Sequence, residues 1–352
     1  MRKLWFILVT GRCNLRCRYC GGSFPEKYVP HGLRFDIRIL RKIIREDDNV
    51  CFYGGEPLLN IEDIEKVISE VPARRFIIQT NATLVKQVPE RIWKKIDVVL
   101  LSIDGPEEIT DKNRGKGVYR KVLEAAQYLR KIGFRGELIA RMTVTEDSDI
   151  YRDVTHLLKL GLFDKIHWQL NVVWCDRWDF EKWAWSKYIP GFRQLVKLFL
   201  ENLEKGTVLK IVPITGMLTA VLFRPFDGVP CGAGYRAFAI NSDGRILACP
   251  IAVREEWAVV GHVEQGLLRT IEVGEPCRSC RYFSYCGGRC LYAYVEKNWG
   301  MNGFHEICQV TIACIDLILR ISDRVRELID KKIVRREDIF QDGVEDSTEI
   351  IP

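Results

Sequence analysis

Leu4-Trp5-Phe6-Ile7-Leu8-Val9 is an unbroken apolar run, and the loop after it reads Cys13-Asn14-Leu15-Arg16-Cys17-Arg18-Tyr19-Cys20. Six apolar residues bounded by a Gly-containing turn predict a buried strand. The cysteines follow in a Cys-x3-Cys-x2-Cys pattern. Three thiolates can hold three corners of a four-iron cluster and leave the fourth iron without a protein ligand, where chemistry can occur. A structural zinc site is the alternative for the triplet alone, but zinc would want a fourth ligand nearby, and the only close histidine is His31.

A second apolar run, Val50 to Tyr53, leads into Gly54-Gly55-Glu56-Pro57. Together with the triplet and its aromatic Tyr19, this resembles the radical S-adenosylmethionine (SAM) enzymes, in which a Gly-Gly-Glu motif holds the methionine amino group. The resemblance implies a [4Fe-4S] cluster on Cys13, Cys17 and Cys20 that binds SAM. It further implies SAM contacts from Tyr19, Gly54, Gly55, Glu56, Asn81, Ser102 and Arg141, with Ser102 and Arg141 near the carboxylate or ribose. For Ser102-Ile103-Asp104-Gly105 the plainer alternative is a strand-end turn, Asp-Gly being a common turn pair.

The rest of the first 210 residues alternates in the same rhythm. β-rich runs at Leu4 to Val9, Val50 to Tyr53, Arg75 to Gln79, Asp97 to Ile103, Glu137 to Val144 and Lys165 to Val172 are separated by helical patterns. These lie at about Asp36 to Arg45, Ile61 to Val71, Val88 to Lys95, Val118 to Ile132, Ser148 to Leu160 and Gly191 to Leu203. Six βα units in series predict a parallel sheet with right-handed crossovers. The expected fold class is α/β, an open (β/α)6 TIM-like partial barrel with active groups at the strand C-terminal ends. The aromatic stretch Trp174 to Trp185 either packs as core or walls the mouth against water.

After about Pro225 the chain turns Cys- and Gly-rich. Cys231, Cys249, Cys277, Cys280, Cys286, Cys290 and Cys308 follow one another at intervals that resemble the SPASM domain, which carries two auxiliary iron-sulfur clusters. Without the first triplet, Cys277 to Cys290 would also fit a zinc ribbon. The resemblance implies an outer cluster on Cys277, Cys280, Cys286 and Cys308 and an inner one on Cys231, Cys249 and Cys290. Seven thiolates do not fill eight corners, so the inner cluster has an open iron or a ligand from elsewhere, such as Asp227 or Cys175. If Glu306 to Leu319 is helical, six residues turn about 240°, so Cys308 and Cys314 face different ways. Cys314 and Cys51 are then expected to be small buried hydrophobes. The expected division is 1–210 for the core, 211–315 for the auxiliary-cluster domain, and 316–352 for an amphipathic helix and a frayed acidic tail.

Composition bounds the rest. The chain has 352 residues, of which 47% are hydrophobic, and a net charge of +6 spread along its length. That is a globular composition with little pull toward nucleic acid. Without a long apolar span or a signal-like start, the expectation is a cytoplasmic protein with no membrane partner, and clustered thiols point to metal rather than disulfides. The resemblance implies a radical enzyme using a 5′-deoxyadenosyl radical on a peptide or protein, by crosslinking or oxidation, served by a low-potential donor such as ferredoxin or flavodoxin. A small metabolite or cofactor precursor is the alternative substrate. A zinc-stabilised nucleic-acid-binding module is the alternative of another class. Formylglycine-forming relatives carry an acid directly after the cysteine matching Cys249, whereas Pro250 and Ile251 follow here.

Overall fold

The computed structural model describes residues 2–352. Six parallel strands come first: β1 (Leu4–Thr10), β2 (Asn49–Gly54), β3 (Arg75–Thr80), β4 (Val98–Ser102), β5 (Glu137–Val144) and β6 (Lys165–Leu170). Each pairs with the next in register, as Phe6 with Cys51, Cys51 with Ile77 and Ser102 with Arg141. The Cys-rich half adds β7 (Ala237–Ile240), β8 (Arg245–Leu247), β9 (Val259–His262) and β10 (Gly266–Leu267). β7 lies parallel to β1 on its free side, so one ten-stranded sheet runs β10-β9-β8-β7-β1-β2-β3-β4-β5-β6.

Alternation along the strands divides the core in two. Trp5, Ile7 and Val9 of β1 pack outward with Val50, Phe52 and Ile78 against the helices. Leu4, Phe6 and Leu8 point the other way, with Cys51, Ile77, Val98, Leu100, Ile139, Ala237 and Ala239, into the barrel interior. A strand buried on both faces reads as a continuous apolar run, which is why β1 carries no polar alternation. The amphipathic helices Ile61–Glu70, Val118–Lys131, Ile150–Leu160 and Ile189–Leu203 cover the outside.

Several expectations need correction. Asp36 to Arg45 holds only a short 3-10 turn, Ile37–Lys42, and Val88 to Lys95 only one helical turn, Glu90–Trp93. A helix at Val212–Leu222 was not anticipated. It is apolar on almost every side, so it lacks the stripe by which a surface helix is recognised. The terminal helix starts at Gly300 and runs unbroken to Asp330, through residue 315. Among the described residues, no helix is long and apolar enough to cross a membrane.

The largest correction concerns the tail. Gln341 to Pro352 is not frayed: Val344, Ile350 and Ile351 are buried, and Val344 belongs to the interior cluster. The interior positions at the strand N-terminal ends are polar, and the tail satisfies them. Asn49 Nδ2 donates to Val344 O at 2.8 Å, Lys165 Nζ pairs with Asp346 at 2.7 Å, and Glu345 pairs with Arg2 and Arg74. Its acidic residues therefore neutralise a basic ring at the barrel floor.

Candidate active site

Following the inward parity of each strand to its C-terminal end replaces apolar side chains by Tyr53, Gln79, Ser102, Arg141, Thr143 and Gln169, all lining one cavity. Cys13, Cys17, Tyr19, Cys20, Gly54, Gly55, Glu56 and Asn81 line it as well. The structure thus brings all the residues expected to hold the first cluster and SAM to one rim, as strand polarity in a βα barrel requires.

The Gly-Gly pair has a steric cause. Gly55 N–H donates to Thr10 O at 2.9 Å and Glu56 N–H to Arg12 O at 2.7 Å. A Cβ on Gly55 would stand 2.5 Å from the Arg12 carbonyl carbon, so only glycine lets the two loops lie this close. Glu56 is buried, accepting from Leu58 N–H at 3.0 Å and Thr80 Oγ1 at 2.7 Å on one oxygen and from Asn81 N–H at 2.7 Å on the other. Burial pushes its pKa up to about 7 against these bonds.

The triplet loop is anchored by a buried ion pair. Asp104 accepts from Arg114 Nε at 3.0 Å and Nη2 at 2.7 Å, from Tyr19 Oη at 3.1 Å, from Asn113 Nδ2 at 3.3 Å and from Thr143 N–H at 2.9 Å. Arg114 also lies 5.4 Å from the Tyr19 ring, and Arg18 N–H donates to Asn113 O at 2.9 Å. Asp104 is therefore the hub that fixes the loop rather than only a turn residue. Arg114 was not anticipated, since nothing in its local sequence marks it. Asn81 Nδ2 bonds Asn14 Oδ1 at 2.8 Å and approaches Cys13 Sγ at 3.9 Å. Arg141 donates to Glu349 Oε1 at 2.5 Å and to His167 Nδ1 at 3.2 Å.

The cysteines fall into three groups. Cys17 and Cys20 share a hydrogen bond that favours ionisation of Cys20, lowering its pKa to about 6, and raises that of Cys17. Leu15 N–H points at Cys13 Sγ at 3.5 Å, a donor suited to a thiolate. Cys231, Cys249 and Cys290 line the same cavity. Burial, and then the charge of Cys290, push the Cys231 thiol up to about 12 and hold Cys249 well above the ordinary thiol value. Cys277, Cys280, Cys286 and Cys308 form the third group, away from the cavity. Burial and then Cys308 raise Cys277 to about 11 and Cys286 to about 12. Thiols gathered this way in a dry site ionise only when a metal compensates them, which fits iron-sulfur ligation. Among the described residues, no three His, Cys, Asp or Glu side chains are disposed to hold a single metal ion.

Cys314 and Cys51 are buried, as expected for small hydrophobes. Cys175 Sγ donates to Asn171 O at 3.0 Å and Asp227 accepts from Tyr235 Oη at 3.3 Å; neither lines the cavity. The aromatic stretch divides. Trp178, Phe180 and Trp183 pack edge-on or tilted against one another and Trp299 as part of the core, while Trp174 lines the cavity mouth and meets Phe24 edge-on at 5.9 Å.

A family model described as the Radical SAM superfamily matches residues 7–158. A cysteine-type anaerobic sulfatase-maturating enzyme of Clostridium perfringens is 23% identical over 329 residues, covering 79% of this chain and 85% of that enzyme. Among solved structures, native anSMEcpe with bound AdoMet and Cp18Cys peptide superposes with a TM-score of 0.70 at 20% identity, covering 94% of this chain and 99% of the other. Streptococcus suis SuiB bound to precursor peptide SuiA gives a TM-score of 0.55 at 17% identity, over 84% and 73% of the two chains. With its Cys-x3-Cys-x2-Cys loop, its Gly-Gly-Glu motif and the barrel rim that unites them, the chain carries a radical SAM domain over residues 7–158.

Proposed function

We propose that this protein modifies a peptide or protein substrate by radical chemistry, forming a crosslink or oxidising a side chain. Cys13, Cys17 and Cys20 would hold the SAM cluster, and Cys277, Cys280, Cys286, Cys308, Cys231, Cys249 and Cys290 two auxiliary iron-sulfur clusters. When bound, the first cluster supplies the electron that converts SAM to methionine and a hydrogen-abstracting 5′-deoxyadenosyl radical.

The chain's own residues prepare that chemistry. Glu56, Asn81, Ser102 and Tyr19 surround the triplet and orient SAM at the rim. Asp104 and Arg114 immobilise the triplet loop so that its thiolates keep their spacing. Trp174 and Phe24 narrow the mouth and exclude water from a reactive radical. The observation that carries the reading is that the Cys13 triplet and the Cys231, Cys249, Cys290 set line one and the same cavity. A substrate held between them meets both a hydrogen-abstracting agent and an electron acceptor. The peptide-bound state of the two structural relatives supports a peptide over a small metabolite. Pro250 and Ile251 line the cavity where sulfatase-maturing enzymes carry an acid, so the peptide class is left wider than sulfatases. A low-potential ferredoxin or flavodoxin would serve as donor.

The test is iron and sulfide content after anaerobic reconstitution, with 5′-deoxyadenosine formation from SAM, in wild type and a Cys13/Cys17/Cys20 triple Ala variant. About twelve irons, falling by about four with loss of deoxyadenosine, is expected. Peptides are then screened for a mass change that requires SAM. Zinc without iron and no deoxyadenosine would leave a metal-stabilised binding protein instead.

A further inference from the structure

The inner cysteine set supplies three thiolates for a four-iron cluster, and the two groups that sequence offered as a fourth, Asp227 and Cys175, do not line the cavity. We propose that the carboxylate of Glu349 is the fourth protein ligand of the inner cluster, beside Cys231, Cys249 and Cys290. The assignment rests on the auxiliary-cluster reading above.

Three observations converge on it. Only two carboxylates line the cavity among the described residues, Glu56 and Glu349. Both oxygens of Glu56 are engaged by the chain, but at Glu349 only Oε1 is, by Arg141. Glu349 Oε2 makes no hydrogen bond; His167 Nε2, 3.3 Å away, accepts instead from the Glu349 N–H at 3.3 Å. The side chain lines the cavity and is about a third accessible, 32%, with Oε2 itself enclosed by the chain.

The backbone brings this carboxylate to the right loops. The tail is laced between the segments that carry the inner cysteines. A Cβ on Gly343 would stand 3.3 Å from Pro230 O, beside Cys231, and one on Gly232 would stand 3.2 Å from Val344 Cγ2. At the other end Arg289, beside Cys290, donates from Nε to Pro352 O at 2.7 Å. The charge of Glu349 is felt at both Cys231 and Cys249. Arg141 then acts as an outer partner that orients the carboxylate and opposes the burial that raises its pKa, the usual arrangement around a ligating oxygen.

The test uses the full chain with Cys13, Cys17 and Cys20 changed to Ala, so that bound iron reports only the auxiliary sites, about eight per chain. Electron paramagnetic resonance of the reduced protein is recorded with and without added imidazole, which binds an iron lacking a protein ligand. With Glu349 in place the signal is expected to be unchanged by imidazole. Glu349→Ala should lose about one iron or gain an imidazole-dependent shift, and Glu349→Cys should restore insensitivity. If Glu349→Ala does not accumulate as folded protein, the near-isosteric Glu349→Gln carries the same comparison. An identical iron count, signal and imidazole response in wild-type and substituted position 349 would overturn the assignment. Uptake of only about four irons, unaffected by Cys231→Ala, would overturn the auxiliary-cluster reading itself and the ligand with it.

Discussion

Replacing Asp104 with Asn should be among the most damaging single changes outside the cysteines. The carboxylate is fully buried and takes five hydrogen bonds, two from Arg114, whose side chain is only 7% accessible. Asn keeps the shape but removes the charge and turns one acceptor into a donor facing donors. Breaking a buried pair by removing one partner leaves the other charge uncompensated, at a cost of roughly 3–5 kcal/mol. Removing both charges, as Asp104→Asn with Arg114→Met, should recover about 2 kcal/mol of that loss, because the stranded guanidinium is gone. The assay is anaerobic urea unfolding of the metal-free protein in a double-mutant cycle. Because Tyr19 sits within the cysteine triplet, the single variant should also bind less iron at the first site, with every cysteine intact. A cost below about 1 kcal/mol, or singles that add without coupling, would refute the claim that Asp104 and Arg114 act as one buried unit that positions the loop.

Glu56 makes stability depend on pH. Its folded pKa of about 7 lies above the ordinary 4.5, so its contribution is fully present below pH 4.5 and is lost as pH rises through 7. Urea midpoints of the metal-free protein should therefore fall between pH 5 and 8 by the equivalent of about 3 kcal/mol relative to Glu56→Gln. Gly55→Ala should cost roughly 1–3 kcal/mol, because the new Cβ meets the Arg12 backbone, and should abolish SAM-dependent deoxyadenosine formation. Gly216→Val should cost about as much by pushing Ile350 off its seat, and limited proteolysis should then release the tail that is protected in wild type. Trp174→Ala, at a side chain 39% exposed, should shift stability by less than about 1 kcal/mol while raising the KM for a peptide substrate.

The strand order and the rim residues were readable because strands buried on both faces leave continuous apolar runs, and because parallel connectivity puts every loop after a strand on the same side. The grouping of the cysteines into an outer and an inner set came from the resemblance to the SPASM domain. Other features were hidden for identifiable reasons. The helix at Val212–Leu222 is buried all round and has no polar face to mark its period. Arg114 reaches the triplet from a helix about a hundred residues along the chain, and no local motif announces it. The tail was misread because acidic residues suggest solvent; their partners, Arg2, Arg74 and Lys165, are interior or floor positions of other strands, and that parity emerges only once the barrel closes. Glu349 was hidden in the same way, since its meeting with Arg141 spans most of the chain.

Because β7 pairs with β1, the strand that carries the Cys13 triplet sits in the middle of the sheet rather than at its border. A polypeptide ending near residue 210 would leave one whole side of β1, fully apolar and lined with free backbone donors and acceptors, as a bare edge. Such an edge recruits other chains. The Cys-rich half thus doubles as a guard against self-association through that edge.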